Sequence, residues 1–236
     1  MNPTPQRAVD GQALPLGSQE ICTQGFQVSP HSLGSITPFT CQTFAKGESI
    51  PPLEDKLWLI EKGIARTFTF TESGSTTGLG YWKKGDVVGL PLANLAVYQI
   101  ECATPVEARI LSRNEWPQYL EAIFYNAQQK AQLMNVLSHK QVYQRLVCLL
   151  EWLGHRFGRQ VPEGLLIDIP LPHYAIGEMV GATRETVTHY LGEFKKQGTL
   201  IQRRCRIVLL QDFNEVSLQS IAPQLLNRQQ SARKAV

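Results

Sequence analysis

The stretch GATRETVTHYLGEF, residues 181–194, has the pattern of a short amphipathic helix that begins after a glycine. Counted from Arg184 at 100° per residue, one arc of this helix is apolar, between about 240° and 340°. It comprises Val187, Tyr190, Leu191 and Phe194. The arc between about 0° and 140° is polar and comprises Arg184, Glu185, Thr188, His189 and Lys195. The pattern predicts a helix that buries its apolar arc and presents hydrogen-bonding groups to solvent.

The segment before this helix predicts a partner helix. HYAIGEMV, residues 173–180, places Ala175, Ile176, Met179 and Val180 on one face. Gly181 supplies the positive φ that a tight turn between helices requires, and Thr183 is a favourable N-cap for the helix that follows. Two short helices joined by a glycine turn predict a helix-turn-helix, whose second helix can enter the major groove of DNA.

The polar residue types suit DNA recognition. Arginine can donate two parallel hydrogen bonds to guanine O6 and N7, and a carboxylate can accept one from cytosine N4. Threonine hydroxyls and helix N-terminal amides suit phosphates. TLIQRRCRIVLLQ, residues 199–211, predicts two strands around a basic turn, a wing that would contact the DNA backbone. The predicted DNA contacts are Thr183, Arg184, Glu185, Thr188, His189, Lys195, Arg203, Arg204 and Arg206.

Positive charge gathers in the same region. Residues 1–138 hold 10 Lys and Arg against 12 Asp and Glu, whereas residues 139–236 hold 13 against 8. Between residues 183 and 210 the count is 6 basic to 2 acidic, which favours a nucleic-acid face. The alternative is that Arg184 and Glu185 form only a solvated first turn. It is disfavoured because the helix pair, the glycine turn, the opposed arcs and the basic hairpin agree.

Residues 26–111 have the pattern of short strands separated by turns. In LWLIEKGIARTFTFTESGSTTGLGYWKKGDVVGL, residues 57–90, Gly63, Gly74 and Gly85 follow one another at intervals of eleven. Evenly spaced turns between short runs of β-forming residues predict an antiparallel barrel or roll.

A long helix is predicted after the roll. Ser112 followed by Glu115 is a capping-box start, and apolar residues then recur at alternating steps of four and three. An unbroken helix from 120 to 153 would be roughly 50 Å long. Because this helix would extend beyond a small roll, we expect the same helix of a second copy to cover its apolar stripe. The alternative is that the whole stripe packs on the roll. The predicted dimerisation residues are Phe124, Ala127, Ala131, Met134 and Leu137.

The chain therefore divides into five predicted parts. They are a mobile N-terminal arm (1–25), a β-roll (26–116), a long dimerisation helix (117–157), a winged helix-turn-helix (158–213) and a C-terminal extension (214–236).

The composition argues against several classes of protein. The longest apolar runs are too short for a membrane span, and the N-terminus lacks the order of a signal peptide, so we expect a cytoplasmic protein without a membrane partner. The histidines show no paired spacing, so neither a metal site nor a catalytic dyad can be assembled. We expect no metal, no cofactor and no enzymatic activity.

The five cysteines are scattered and odd in number, which predicts free thiols in a reducing compartment. Cys205 lies between arginines in the predicted wing, where positive charge favours a thiolate, and is the better candidate for a redox thiol. Cys102 is a second candidate, although a small buried strand residue is the favoured interpretation.

The order of roll, long helix and winged helix-turn-helix, with GATRETV (181–187) opening the second helix, resembles the CRP/FNR superfamily of transcription regulators. The cyclic-AMP receptor protein and the fumarate-and-nitrate-reduction regulator typify this family. KGES (46–49), LWLIEKGIAR (57–66) and KKGDVVG (83–89) are similar to the family's turn signatures. LSHKQVYQRLVCLLEWLGHRFG (137–158) is similar to the dimer helix of the oxygen-sensing branch and the piece that follows it.

The resemblance runs from about residue 40 to 210 and implies an α+β fold whose roll is of the jelly-roll, cyclic-nucleotide-binding-like type. It also implies a homodimer that binds double-stranded DNA at a near-palindromic operator and adjusts transcription through RNA polymerase. By position, Arg184 and Glu185 match base-reading residues of the cyclic-AMP branch. His189 departs from the family, which usually has an arginine there, and this puts the base preference at that step in doubt.

The sequence leaves the effector unknown. Aligning on ATPVE (103–107) puts Ala96 and Val97 where cyclic-nucleotide-binding relatives have an Arg-Ser pair. No cationic fork is available there for a phosphate, so no response to cyclic AMP is expected. The cysteines lack the clustered spacing of an iron–sulfur site. Three alternatives stay open: a redox- or metabolite-sensing roll with a thiol switch, a β-roll metal enzyme, and a ligand-sensing module with a degenerate DNA domain.

Overall fold

The computed structural model describes residues 41–72, 74–211 and 213. All of these residues lie in one compact unit. The predicted N-terminal arm and C-terminal extension lie outside the described residues.

Short antiparallel strands form the N-terminal roll as two four-stranded sheets. The strands are β1 (Cys41–Phe44), β2 (Ser49–Ile50), β3 (Leu57–Lys62), β4 (Ala65–Phe70), β5 (Thr76–Trp82), β6 (Val87–Val88), β7 (Gln99–Cys102) and β8 (Val106–Leu111). One sheet has the order β1-β8-β3-β6 and the other has the order β2-β7-β4-β5. A short helix, α1 (Leu90–Ala93), lies between β6 and β7. The predicted antiparallel roll is confirmed.

Side chains from both sheets fill the roll. Trp58 and Trp82 are buried with Ile100 in one apolar cluster, and Trp82 Nε1 donates to Thr67 Oγ1 at 2.9 Å. The tight turn between β3 and β4 requires Gly63, which has a φ of 86°. A Cβ at this position would overlap the carbonyl group of Pro105, so only glycine lets the two loops approach this closely.

The predicted capping box is present. Ser112 donates from its backbone N–H and from Oγ to Glu115 Oε2, at 2.9 and 2.7 Å. It opens a 3-10 helix (Arg113–Tyr119), which leads into α2 (Leu120–Leu137). A separate helix, α3 (Val142–Phe157), follows. The prediction of one continuous helix over 117–157 is therefore wrong.

The break between α2 and α3 has a local cause. Residues 138–141 are all polar and offer no apolar side chain to continue a buried face. Arg145 Nη1 donates to the carbonyl oxygens of His139 and Lys140, at 3.1 and 3.3 Å, and Arg145 Nε donates to Val180 O at 2.7 Å. Because an arginine satisfies these carbonyl groups, they need no helical partner.

The predicted stripe of α2 does not pack on the roll. Its residues are all exposed: Phe124, Ala127, Ala131, Met134 and Leu137. The buried side of α2 is formed by Asn126, Gln129, Leu133 and Val136. Asn126 Nδ2 donates to Val87 O at 2.8 Å, which fixes the helix on the roll by a polar contact. The alternative in which the whole stripe packs on the roll is contradicted.

The C-terminal elements form a winged helix-turn-helix. They are β9 (Gly158–Val161), β10 (Gly164–Ile167), α4 (His173–Val180), α5 (Arg184–Lys196), β11 (Leu200–Arg203) and β12 (Arg206–Leu209). The four strands form one antiparallel sheet with the order β11-β12-β10-β9. The predicted helix pair and wing are confirmed. Within the described residues, no helix has both the length and the apolar character needed to cross a membrane.

Candidate nucleic-acid interface

The turn between α4 and α5 sets the position of the second helix. Gly181 is left-handed, with a φ of 63°, and its N–H caps α4 by donating to Gly177 O. Thr183 then caps α5, because its Oγ1 accepts from the backbone N–H of Thr186 at 3.2 Å. Gly177 is also required by packing, since a Cβ there would lie 2.5 Å from Ala182 O. The sequence therefore determines this turn locally, through two glycines and one cap.

Helix α5 has the two arcs that the sequence predicts. Val187, Leu191 and Phe194 are buried, and Tyr190 is half-buried against Tyr143, at 5.7 Å between ring centroids. The polar arc, which consists of Arg184, Glu185, Thr188, His189 and Lys195, is exposed together with the cap Thr183. The helix is thus held by its apolar arc and leaves its polar N-terminal end free to meet a ligand. That this ligand is DNA stays a prediction for each of these residues.

Thr188 is exposed, but its hydroxyl already has partners. Oγ1 donates to Arg184 O at 2.8 Å and lies 2.7 Å from His173 Nδ1. His173 Nε2 lies 2.7 Å from Gln202 Nε2, and an amide nitrogen can only donate. The assigned tautomer therefore carries its proton on Nδ1 and donates to Thr188. Thr188 thus links α5 through His173 to the wing, and its contact with DNA stays a prediction.

The wing arginines are partly engaged with acidic side chains. Arg203 pairs with Glu163, and Arg206 Nε lies 3.2 Å from Asp168 Oδ1. Arg204 occupies the left-handed position of the hairpin turn, with a φ of 55°, and its side chain forms no ion pair with any described residue. Both ion pairs are largely exposed, so they add little stability and phosphates can displace them. The sequence pattern predicted the basic turn but not its acidic partners.

The two candidate redox thiols differ in exposure. Cys102 is fully buried in β7, and burial raises the pKa of its thiol to about 11, which disfavours the reactive thiolate. Cys205 is exposed in the wing turn, where its carbonyl oxygen accepts from Leu171 N at 2.6 Å. The structure therefore retains only Cys205 as an accessible candidate.

Two ion pairs that sequence reasoning missed join the roll to helices that follow it in the chain. Arg66 in β4 bonds Glu101 in β7 and also reaches Glu178 in α4, at 2.7 Å. Arg156, near the end of α3, pairs with Asp86 in the turn before β6. The partners lie 112 and 70 residues apart in the chain, so no local pattern could have shown them.

Comparisons with known proteins agree with this architecture. A family model of the Crp-like helix-turn-helix domain matches residues 144–215. The regulatory protein CysR of Synechococcus elongatus is 35% identical over 164 residues, which span 68% of this chain and 79% of that protein. The global nitrogen regulator of the same organism is 28% identical over 202 residues, covering 77% of this chain and 89% of the relative.

Solved structures show the same fold. A CRP-family transcriptional regulator of Thermus thermophilus has a TM-score of 0.64 at 18% identity, over 77% of this chain and 96% of that one. A mutant of CooA from Carboxydothermus hydrogenoformans has a TM-score of 0.61 at 21% identity, over 81% of this chain and 92% of that one.

The fold, the two-faced helix and these relatives define a DNA-binding transcription regulator rather than an enzyme. The chain belongs to the CRP/FNR superfamily.

Proposed function

We propose that the protein acts as a homodimer on a near-palindromic operator, with one copy of α5 in each half-site. The observation that carries this proposal is the exposed polar arc at the N-terminal end of α5, on a helix whose apolar arc is buried. In a helix-turn-helix, this end of the second helix lies in the major groove.

Three residues of α5 are proposed to read bases. Arg184 and Glu185 form no ion pair with each other or with any described residue, so both are free to bond base edges. Arg184 suits guanine and Glu185 suits cytosine. His189 is exposed beside Tyr190, with 5.3 Å between the ring centroids. An imidazole offers fewer donors than the family's arginine, so the protein should prefer a different base at that step.

The remaining contacts are proposed to hold the DNA backbone. Thr183 and the free amides of the first turn of α5 are proposed to bind a phosphate. The positive charge for these contacts is proposed to come from Lys195 and from the wing arginines Arg203, Arg204 and Arg206. Of the three wing arginines, Arg204 gives up no ion pair within the described structure to bind a phosphate, and the same holds for Lys195.

The exposed stripe of α2 supports a homodimer. Phe124 is 63% exposed and Met134 is 72% exposed, and both lie on one face of the helix with Ala127, Ala131 and Leu137. Large apolar side chains aligned at coiled-coil spacing indicate a missing partner surface, and the same stripe of a second copy fits it. Pairing through α2 would place two DNA-binding domains side by side, as a palindrome requires.

Other parts of the proposal rest on the family. They are regulation through RNA polymerase, a cytoplasmic location and the division of the chain into five parts. In that division, α2 and α3 now take the place of the single long helix. The effector stays unknown. Val97 lies where relatives hold a phosphate-binding pair; it is 41% exposed, and its carbonyl oxygen accepts from Thr69 Oγ1. An apolar side chain at this position supports the expectation that cyclic AMP is not bound.

The proposal is tested by recovering genomic sites bound by the protein and measuring its affinity for them and for random DNA. Arg184→Ala should lose about 1–3 kcal/mol on a recovered palindrome and less on random DNA, because a base contact is lost. Arg113→Ala removes an exposed arginine of the roll and should change neither affinity. Equal losses on both DNAs for Arg184→Ala would mean that this residue holds phosphate only.

A further inference from the structure

A cavity of about 300 Å³ lies between the roll and the winged helix-turn-helix. The roll lines it with Lys46, Arg66 and Tyr81, and the DNA-binding domain lines it with Pro172, Tyr174 and Cys205. The cavity therefore spans the junction between two parts of the molecule, and a molecule bound in it would touch both.

Tyr81 is the first sign that the cavity is a built site. Its side chain is only 2% exposed, yet its hydroxyl forms no hydrogen bond with any described residue. The hydroxyl is not one of the fully buried unpartnered atoms of the described residues, so it reaches the open space of the cavity that Tyr81 lines. Burial is the main reason that the pKa of Tyr81 is raised, and Arg66, which lines the same cavity, acts in the opposite direction.

Arg66 provides further donors at the same place. Its Nε and Nη2 donate to the two oxygens of Glu101, at 3.1 and 3.2 Å, and its Nη1 donates to Glu178 Oε2 at 2.7 Å. A guanidinium has five N–H groups, so two have no acceptor within the described structure. Lys46, at the edge of the cavity, also has no ion-pair partner among the described residues.

The charges and walls of the cavity define the kind of ligand. Arg66 already bonds two carboxylates, Glu101 and Glu178, so Lys46 is the lining cation that has no ion-pair partner among the described residues. Pro172 and the ring of Tyr174 provide an apolar wall. We propose that this cavity binds a small organic monocarboxylate, whose carboxylate bonds Tyr81, Lys46 and Arg66 and whose apolar part packs on Pro172 and Tyr174.

Such a ligand would act on the contact between the two parts. Its carboxylate would be a third anion on the guanidinium that already holds Glu101 and Glu178 of α4, and like charges repel each other. Binding therefore weakens the link between β4 and α4 and couples the cavity to the position of the helix pair. By linkage, operator DNA must change the affinity for the ligand by the same factor. This coupling rests on the proposed DNA-binding function, whereas binding to the cavity does not.

Binding is tested by isothermal titration calorimetry on the full chain without DNA. The probes are butanoate and benzoate, and their neutral controls are butanamide and benzamide. The acids should bind and the amides should bind at least about tenfold more weakly, because a charge-assisted hydrogen bond is lost. Tyr81→Phe and Lys46→Gln should each weaken acid binding about tenfold. Lys84→Gln, an exposed lysine of the roll outside this cavity, should leave it unchanged.

A second readout locates the ligand. Cys205 lines the cavity and Cys41 does not, although both are exposed. Benzoate should protect Cys205 from iodoacetamide and leave the alkylation rate of Cys41 unchanged. The inference would be overturned by equal binding of acid and amide, or by the absence of saturable binding. It would also be overturned if Tyr81→Phe bound the acids as well as the wild type does while keeping a native near-ultraviolet circular dichroism spectrum. Because no DNA is present, such a failure would leave the operator-binding proposal intact.

Discussion

Removing the carboxylate of Asp86 should destabilise the protein strongly. Asp86 pairs with Arg156, and the two side chains are only 6% and 2% exposed. The buried Nε and Nη1 atoms of Arg156 have no hydrogen-bond partner among the described residues, so Asp86 holds the one bonded edge of this guanidinium there. Asp86→Ala leaves a buried charge without any acceptor, which costs about 3–5 kcal/mol. Domain stability is typically about 5–15 kcal/mol, so the loss is a large share of the total.

The aromatic surroundings of Arg156 limit this loss but do not remove it. The guanidinium lies 4.9 Å from the centroid of Trp82 and 5.3 Å from that of Tyr125, and these contacts survive the substitution. Asp86→Asn should cost less than Asp86→Ala, because the amide oxygen can still accept from the backbone N–H of Lys83. Adding Arg156→Met to Asp86→Ala should restore stability, since an apolar side chain then replaces the unpaired charge.

The assay is urea unfolding followed by tryptophan fluorescence, with Trp82 and Trp152 as probes beside Arg156. A double-mutant cycle of Asp86→Ala and Arg156→Met should give a coupling of several kcal/mol, roughly the cost of the unpaired charge. A loss below about 1 kcal/mol for Asp86→Ala, or additive losses in the cycle, would refute the reasoning.

Three further predictions concern the dimer, the helix turn and acid stability. Met134→Glu should weaken dimerisation at least about tenfold, as measured by analytical ultracentrifugation, because burial of this side chain is worth about 1.5–3 kcal/mol. The control Phe70→Glu, at an exposed apolar position of the roll, should leave dimerisation unchanged. Equal effects of the two substitutions would contradict pairing through α2. Gly181→Ala should lower the free energy of unfolding in urea by about 1–2 kcal/mol, because the backbone at this position is left-handed. Gly177→Ala should lower it by about 1–3 kcal/mol, because the added Cβ overlaps a carbonyl group. The turn geometry would be refuted if neither substitution changed the stability. Hydrogen bonds from the backbone and hydroxyl of the cap serine lower the pKa of Glu115. The ionised carboxylate therefore contributes about 0.5–2 kcal/mol to the free energy of unfolding above pH ~4.3, and this contribution is lost as the pH falls through the lowered pKa. The stability difference between wild type and Glu115→Gln should therefore shrink on acidification, and a difference constant from pH 7 to pH 3 would contradict this assignment.

Local signals in the sequence were enough to predict the helix-turn-helix. The turn depends on Gly181 and on the cap Thr183, and the orientation of α5 depends on four apolar residues at helical spacing. Each of these signals lies within a few residues of the feature it determines. The roll was predicted for the same reason, because its glycine turns recur along the chain.

Of the features that sequence reasoning missed, the helix break has a largely local cause, whereas the contacts of Thr188 depend on residues that are distant in the chain. The long helix is broken where Arg145 donates hydrogen bonds to the carbonyl groups of two residues between α2 and α3. The Nε of Arg145 also donates to the carbonyl group of Val180 on α4. A helical pattern contains no information about such a contact. The hydroxyl of Thr188 was assigned to phosphate from its type and place, but its bonds to His173 and to the backbone appear only once α4 and the wing are packed.

The central claim is that the N-terminal end of α5 reads bases, and base preference tests it most directly. Starting from a recovered operator, each position is changed to all four bases, and the affinities of wild type and Arg184→Ala are compared. The account predicts that Arg184→Ala loses discrimination at one symmetric pair of positions, one in each half-site, by about 1–3 kcal/mol, with the other positions unchanged. An unaltered preference at every position, with affinity lowered uniformly, would contradict it.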